Sequence, residues 1–156
     1  MQKAQLGEHV PDMELQATDD RVFSFSELLG KNVVLYFYPK DNTPGCTTEG
    51  QDFRDHYERF EALDTVVYGV SRDSLQSHEQ FKSQFCFPFD LISDPDEKLC
   101  KAFDVIKEKN MYGKITLGIE RSTFIIDKRG VLRKEFRKVK VDGHVAAVLE
   151  EIKNLT

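Results

Sequence analysis

A chain of 156 residues, 40% of them hydrophobic and including 12 Phe, carries enough apolar matter for a core of its own. Chains of about 150 residues bury roughly two-thirds of their unfolded surface, which excludes disorder and any need for disulfide staples. A net charge of −5, spread along the sequence, argues against nucleic acid as a partner.

In chain order, residues 1–32 read as an extended, turn-rich entry, with Val22, Phe23 and Phe25 as one short strand. Val33 to Tyr38 (VVLYFY) is a continuous β-branched and aromatic run ending at Pro39, as a central strand covered on both faces requires. Cys46, Gly50, Phe53, Tyr57 and Phe60 then recur at helical steps. Thr65 to Val70 is a second buried strand, and Ser74 to Phe85 a helix with Leu75, His78, Phe81 and Phe85 on one side. Phe87 to Ile92 reads as a third strand. Asp94-Pro95-Asp96-Glu97 has the form of a helix start, with Asp94 as cap, for a helix running to about Phe103. Residues 104–119 read as irregular. Thr123 to Asp127 and Val131 to Phe136 form a hairpin across Lys128-Arg129-Gly130. A last helix from about Asp142 spaces Val145, Val148, Leu149, Ile152 and Leu155 on one face.

Strands alternating with helices, followed by a hairpin, predict a single domain over 1–156: a three-layer α/β/α sandwich around a mixed sheet, with a short N-terminal extension. The basic run Lys128, Arg129, Arg133, Lys134, Arg137, Lys138 and Lys140 reads as an edge hairpin guarded by charge rather than a polyanion site.

No segment approaches a membrane span, and MQKAQLGEHVPDMEL lacks the apolar centre of a signal peptide. Three cysteines form an odd set that matches no disulfide framework, so a reducing cytoplasm is the expected compartment. His9, His56, His78 and His144 are scattered and no Cys-x-x-Cys occurs. Neither a metal nor an organic cofactor is expected.

The informative stretch joins the first long strand to its helix: Tyr38-Pro39-Lys40-Asp41-Asn42-Thr43-Pro44-Gly45-Cys46. In such sheets active groups gather where a strand's carboxyl end meets a helix. Thr43 stands as N-cap, Pro44 at the first helical position and Cys46 in the first turn. Unpaired amides and the positive helix end favour a thiolate there, and the thiolate is the nucleophilic form. Gly45 leaves room for close approach, while Pro39 and Pro44 wall a pocket. A partly buried sulfur also needs a cation. Arg121, just before a strand that should return beside the first, is the best candidate, and Arg54 on the helix itself is a weaker one. Each residue has a plainer reading, as core cysteine, simple cap or surface charge. Their convergence on one junction favours the reactive one.

The same residues resemble a known family. Pro39-x-x-x-Thr43-x-x-Cys46 matches the peroxidatic signature of the peroxiredoxins. YPKDNTPGCTTEGQDFRD, FPFDLISDPDEKLCKAF and YGKITLGIERSTFIIDKRG resemble its bacterioferritin-comigratory, or Q-type, subfamily. The resemblance implies a thioredoxin-like fold and reduction of hydrogen peroxide and organic hydroperoxides to water or alcohols. By position, Cys46 matches the peroxidatic cysteine, Thr43 the hydroxyl that contacts the peroxide, Arg121 the arginine that polarises it, and Pro39 the shielding proline. Glu49 matches a position that is acidic or amide in the family. The resemblance further implies a thiol reductant, namely thioredoxin, glutaredoxin or a small thiol, and a monomer.

One departure matters. Many members of the subfamily carry a resolving cysteine five residues after the peroxidatic one, and here that residue is Gln51. Cys86, between Phe85 and Phe87, and Cys100, after Leu99, read as packing residues. Either can resolve Cys46 only if unfolding brings the two Cα atoms within about 7 Å. A one-cysteine cycle closed by an external thiol is therefore preferred. An internal disulfide with Cys86 or Cys100 is its rival, and a redox-signalling or chaperone-like module is the alternative of another class.

Overall fold

The computed structural model describes residues 3–155. Its centre is β3 (Asn32–Phe37), every residue of which is buried. Alternation along β3 sends Val33, Leu35 and Phe37 into one apolar cluster and Val34 and Tyr36 into another on the opposite face. That two-sided burial is why the run is uniformly apolar. Fully burying one such side chain contributes about 1.5–3 kcal/mol.

β3 pairs in parallel with β4 (Thr65–Ser71) and antiparallel with β8 (Ser122–Ile126). With β1 (Glu14–Ala17), β2 (Arg21–Ser24), β5 (Leu91–Ser93) and β9 (Leu132–Phe136), the full order is β2-β1-β5-β4-β3-β8-β9, a seven-stranded mixed sheet. Helices α1 (Pro44–Asp55), α2 (Tyr57–Glu61), α3 (Leu75–Phe85) and α5 (His144–Lys153) send Phe53, Phe60, Phe81 and Val148 to one face. Helix α4 (Lys98–Ala102) packs Leu99, Cys100 and Ala102 on the other. The layered α/β/α sandwich with a mixed sheet is as expected.

Several local expectations are corrected. The entry holds two strands, β1 (Glu14–Ala17) and β2 (Arg21–Ser24), not one. Asp19 and Asp20 both take left-handed backbone in the turn between them, a conformation that suits hairpins and that Asp tolerates. The third predicted strand shrinks to β5 (Leu91–Ser93). Phe87 and Phe89 are buried nonetheless, stacked on each other at 5.2 Å. The long helix after the junction breaks at His56, whose Nδ1 lies 2.8 Å from the Asp52 carbonyl oxygen. The N-cap of α4 is Glu97 rather than Asp94, because a turn at Pro95–Glu97 delays the helix to Lys98, although the Asp94 carboxylate still accepts from the amides of Leu99 and Cys100 at 3.1 and 2.8 Å. The last helix likewise starts at His144, after Gly143 in left-handed backbone.

Residues 104–119 are the largest revision. They contain a separate hairpin, β6 (Ile106–Met111) and β7 (Lys114–Ile119), turned at Tyr112-Gly113. Lys107, Glu108, Lys109 and Asn110 give β6 no apolar alternation, so periodicity is blind to it. The basic run lies on the edge strand β9 (Leu132–Phe136) and beside it. There Lys128, Arg133, Lys134 and Arg137 pair with Asp64, Asp127, Glu151 and Glu135.

Candidate active site

The carboxyl end of β3 runs through Tyr38 and Pro39 into the Lys40–Thr43 turn and then α1. Thr43 is the N-cap residue and Pro44 the first helical residue, as the sequence predicts. The Thr43 side chain does not cap, however. Its hydroxyl donates to the Lys40 carbonyl oxygen at 2.8 Å. Pro44 has no N–H, and the amides of Gly45 and Cys46 have no hydrogen-bond partner among the described residues. Two donors at the positive end of a twelve-residue helix are thereby left for a ligand.

Cys46 is 2% exposed, in the apolar cluster that also holds Phe53 and Phe87. Arg121 reaches it across the sheet. The pairing of Phe37 with Ser122 puts Arg121 beside the end of β3, and its Nη2 lies 3.4 Å from Sγ of Cys46. Its Nη1 donates to Oε1 of Glu49 at 2.6 Å. A Cβ on Gly45 would stand 3.1 Å from Nη2 and would press the guanidinium aside by a few tenths of an ångström, so glycine lets it approach freely. Pro39 is half-buried beside the turn and Pro44 is exposed.

Burial would discharge Arg121, but the negative charges of Glu49 and Cys46 win and hold its pKa above the usual value. Glu49 is fully buried, its Oε2 without a partner. Burial pushes its carboxyl up to about 7, with Arg121 opposing a larger rise. Glu49 is thus built into the site as the anchor of the arginine, a role its sequence position alone does not reveal. Arg54, the weaker candidate cation, faces elsewhere. It donates to Asp55 at 2.9 Å and to the Phe85 carbonyl oxygen at 2.8 Å.

The two other cysteines separate sharply. Cys100 is completely buried, as a packing residue should be, and burial together with Asp94 pushes its thiol far up. Cys86 is no packing residue. It is exposed at the end of α3, in left-handed backbone with φ of 55°. Its neighbour Phe87 fills the space at Gly50, where a Cβ would meet the ring at 2.5 Å.

A buried thiol with a guanidinium and two unclaimed helix amides around it is a setting that favours a thiolate. The AhpC/TSA family model matches residues 6–135. The chain belongs to that family. Within the AhpC/TSA family, it is 51% identical over 152 residues to peroxiredoxin Bcp of Bacillus subtilis, covering 97% of each chain. It is 56% identical over 124 residues to peroxiredoxin Bcp of Xanthomonas campestris, covering 80% of this chain and 78% of that one. A solved structure of a cysteine-to-serine mutant of PrxQ from Xylella fastidiosa superposes with a TM-score of 0.92 at 42% identity, covering 99% and 98%. The bacterioferritin comigratory protein of Xanthomonas campestris, solved in work on its alkyl peroxide reduction activity, gives 0.88 at 49% identity, covering 91% and 90%. These matches put the chain in the Bcp and Q-type branch and establish the thioredoxin-like fold.

Proposed function

We propose that this thiol-dependent peroxidase attacks hydroperoxides with Cys46, using Thr43 and Arg121 to hold and polarise the substrate. The observation that carries the reading is Arg121, fixed on Glu49 by one nitrogen and aimed at Sγ by the other. Because the Thr43 hydroxyl spends its proton on Lys40, its oxygen is left to accept the hydrogen of the hydroperoxide. That turns the distal oxygen toward the sulfur. The Cys46 thiolate attacks this oxygen; the S–O bond forms as the O–O bond breaks. The departing oxygen leaves with the electron pair and takes up a proton to become water or an alcohol. The Arg121 guanidinium and the amides of Gly45 and Cys46 stabilise its developing charge. Pro39, Pro44 and Gly45 bound the small space. The product is Cys46 sulfenic acid.

An external thiol then attacks the sulfenic sulfur and expels water, giving a mixed disulfide that a second thiol reduces. Thioredoxin, glutaredoxin or a small thiol fits this role, with the protein acting as a monomer in the cytoplasm. Three unpaired cysteines are consistent with such a reducing compartment. The rival is an internal disulfide. Exposure favours Cys86 over the fully buried Cys100 as the partner.

Mass spectrometry after one equivalent of hydrogen peroxide, without added thiol, separates the two routes. The one-cysteine cycle gives sulfenic or sulfinic acid on Cys46. A Cys46–Cys86 linked peptide pair would reject it.

A further inference from the structure

Behind the reactive turn lies a buried polar cluster that the chemistry above does not use. Asp41 takes three donors or ring contacts on its carboxylate. The Tyr38 hydroxyl donates to Oδ1 at 2.6 Å, the Ser77 hydroxyl donates to Oδ2 at 2.8 Å, and Nδ1 of His78 lies 2.7 Å from Oδ2. The His78 ring is completely buried and is pinned from its other side, with Nε2 2.9 Å from the Ile92 carbonyl oxygen. Asp73 completes the set. Its Oδ2 accepts from the Ser71 hydroxyl at 2.5 Å and from the backbone N–H of Asp41 at 2.9 Å. Asp41, Asp73 and His78 bring potential metal-ligand atoms within 4.8 Å of one another. Both His78 nitrogens and both Asp41 oxygens are already engaged, so the cluster acts through hydrogen bonds.

The Asp41 N–H held by Asp73 and the Lys40 carbonyl that takes the Thr43 proton belong to the same peptide group. A peptide group is planar, so fixing its N–H fixes the direction of its C=O. Asn42 follows in left-handed backbone, at φ of 63°, which lets the chain turn straight from this clamp to Thr43.

Resting on the reading of Thr43 given above, we propose that Asp73, backed by the Asp41–His78 contact, is a positioning residue for catalysis. It locks the Lys40–Asp41 peptide so that the Thr43 hydroxyl points its lone pairs at the substrate. The strand β4, helix α3 and strand β5 are thereby tied to the geometry of one hydroxyl.

The test is a pair of Cys46 reactions. Stopped-flow oxidation by hydrogen peroxide needs Thr43 oriented; alkylation by iodoacetamide, followed on the Cys46 peptide by mass, does not. Asp73→Ala should slow oxidation by roughly 10- to 100-fold, the scale of a small misplacement in a reacting geometry, and leave alkylation unchanged. Asp73→Asn keeps an acceptor oxygen and should recover most of the rate. The double variant with Thr43→Val should be no slower than Thr43→Val alone, since both changes disable one unit. Equal slowing of both reactions in Asp73→Ala, or losses that multiply in the double variant, would overturn the assignment. Wild-type oxidation in Thr43→Val would instead defeat the reading of Thr43 itself. Should Asp73→Ala not fold, Ser77→Ala removes a single half-buried donor to Asp41 and should give a smaller fall, again confined to oxidation; equal effects on both reactions there would likewise reject the proposal.

Discussion

Cys46 and Cys100 occupy matching positions, each the third residue of its helix and exposed by no more than 2%. Their surroundings are opposite. At α4 the Asp94 carboxylate takes the amides of Leu99 and Cys100, so the positive helix end is spent on a resident anion, and burial first, then Asp94, pushes the thiol far up. At α1 the capping side chain turns away to Lys40, the amides of Gly45 and Cys46 stay unclaimed, and a guanidinium stands 3.4 Å from the sulfur. Burial alone therefore does not decide which thiol is the nucleophile proposed above. What decides it is whether the helix end already holds an anion and which charge faces the sulfur.

Replacing the two sulfurs breaks this comparison most bluntly. Cys46→Ser should abolish peroxide consumption coupled to thiol, whereas Cys100→Ser should turn over at the wild-type rate in the same assay. Activity surviving in Cys46→Ser would place the chemistry elsewhere.

Glu49 sharpens the comparison through pH. Its folded value of about 7 lies above its ordinary value of 4.5. The stability it contributes is therefore fully present below pH 4.5 and is lost as pH rises through about 7. Unfolding of the wild type compared with Glu49→Gln across that window should show the difference declining by on the order of 3 kcal/mol. A difference independent of pH would mean that Glu49 titrates normally.

His144 supplies an effect of similar size and opposite sign. It is buried, with Nε2 2.7 Å from the Thr123 hydroxyl oxygen. Burial first, then the charge of Arg121, lowers its value from 6.5 to about 4. Its contribution is present above pH 6.5 and lost as pH falls through about 4. Thermal unfolding of His144→Phe should lack this acid-side loss, on the order of 3 kcal/mol. An unchanged acid profile would assign the loss to other groups. Because Glu49 and His144 act in opposite directions in overlapping windows, the wild-type curve alone hides both.

The sandwich was legible because its signals are local and strong. The VVLYFY run demands cover on both faces, and Val145 to Leu155 keeps helical spacing. The reactive junction was legible for the same reason, since Thr43, Pro44 and Cys46 are neighbours and Arg121 precedes a recognisable strand. What escaped depends on contacts distant in sequence or on shape. The β6–β7 hairpin is too polar to show periodicity. The direction of the Thr43 hydroxyl is set by a carbonyl, and the clamp on that carbonyl joins Asp41 to Asp73 and His78, 32 and 37 residues away. Cys86 read as a packing residue between two phenylalanines because the sequence, which does end the helix at Phe85, does not reveal the left-handed backbone that Cys86 adopts there. One available signal was His78 itself, a polar residue on the apolar face of α3, which calls for a buried partner.

If a guanidinium held by Glu49 makes the buried Cys46 a peroxide-reducing sulfur, removing it must slow the attack on peroxide. Stopped-flow measurement of Cys46 oxidation by hydrogen peroxide in Arg121→Ala tests it most directly. The second-order rate constant should fall roughly 100- to 1,000-fold, the scale of losing one transition-state donor. A rate equal to that of the wild type would contradict it.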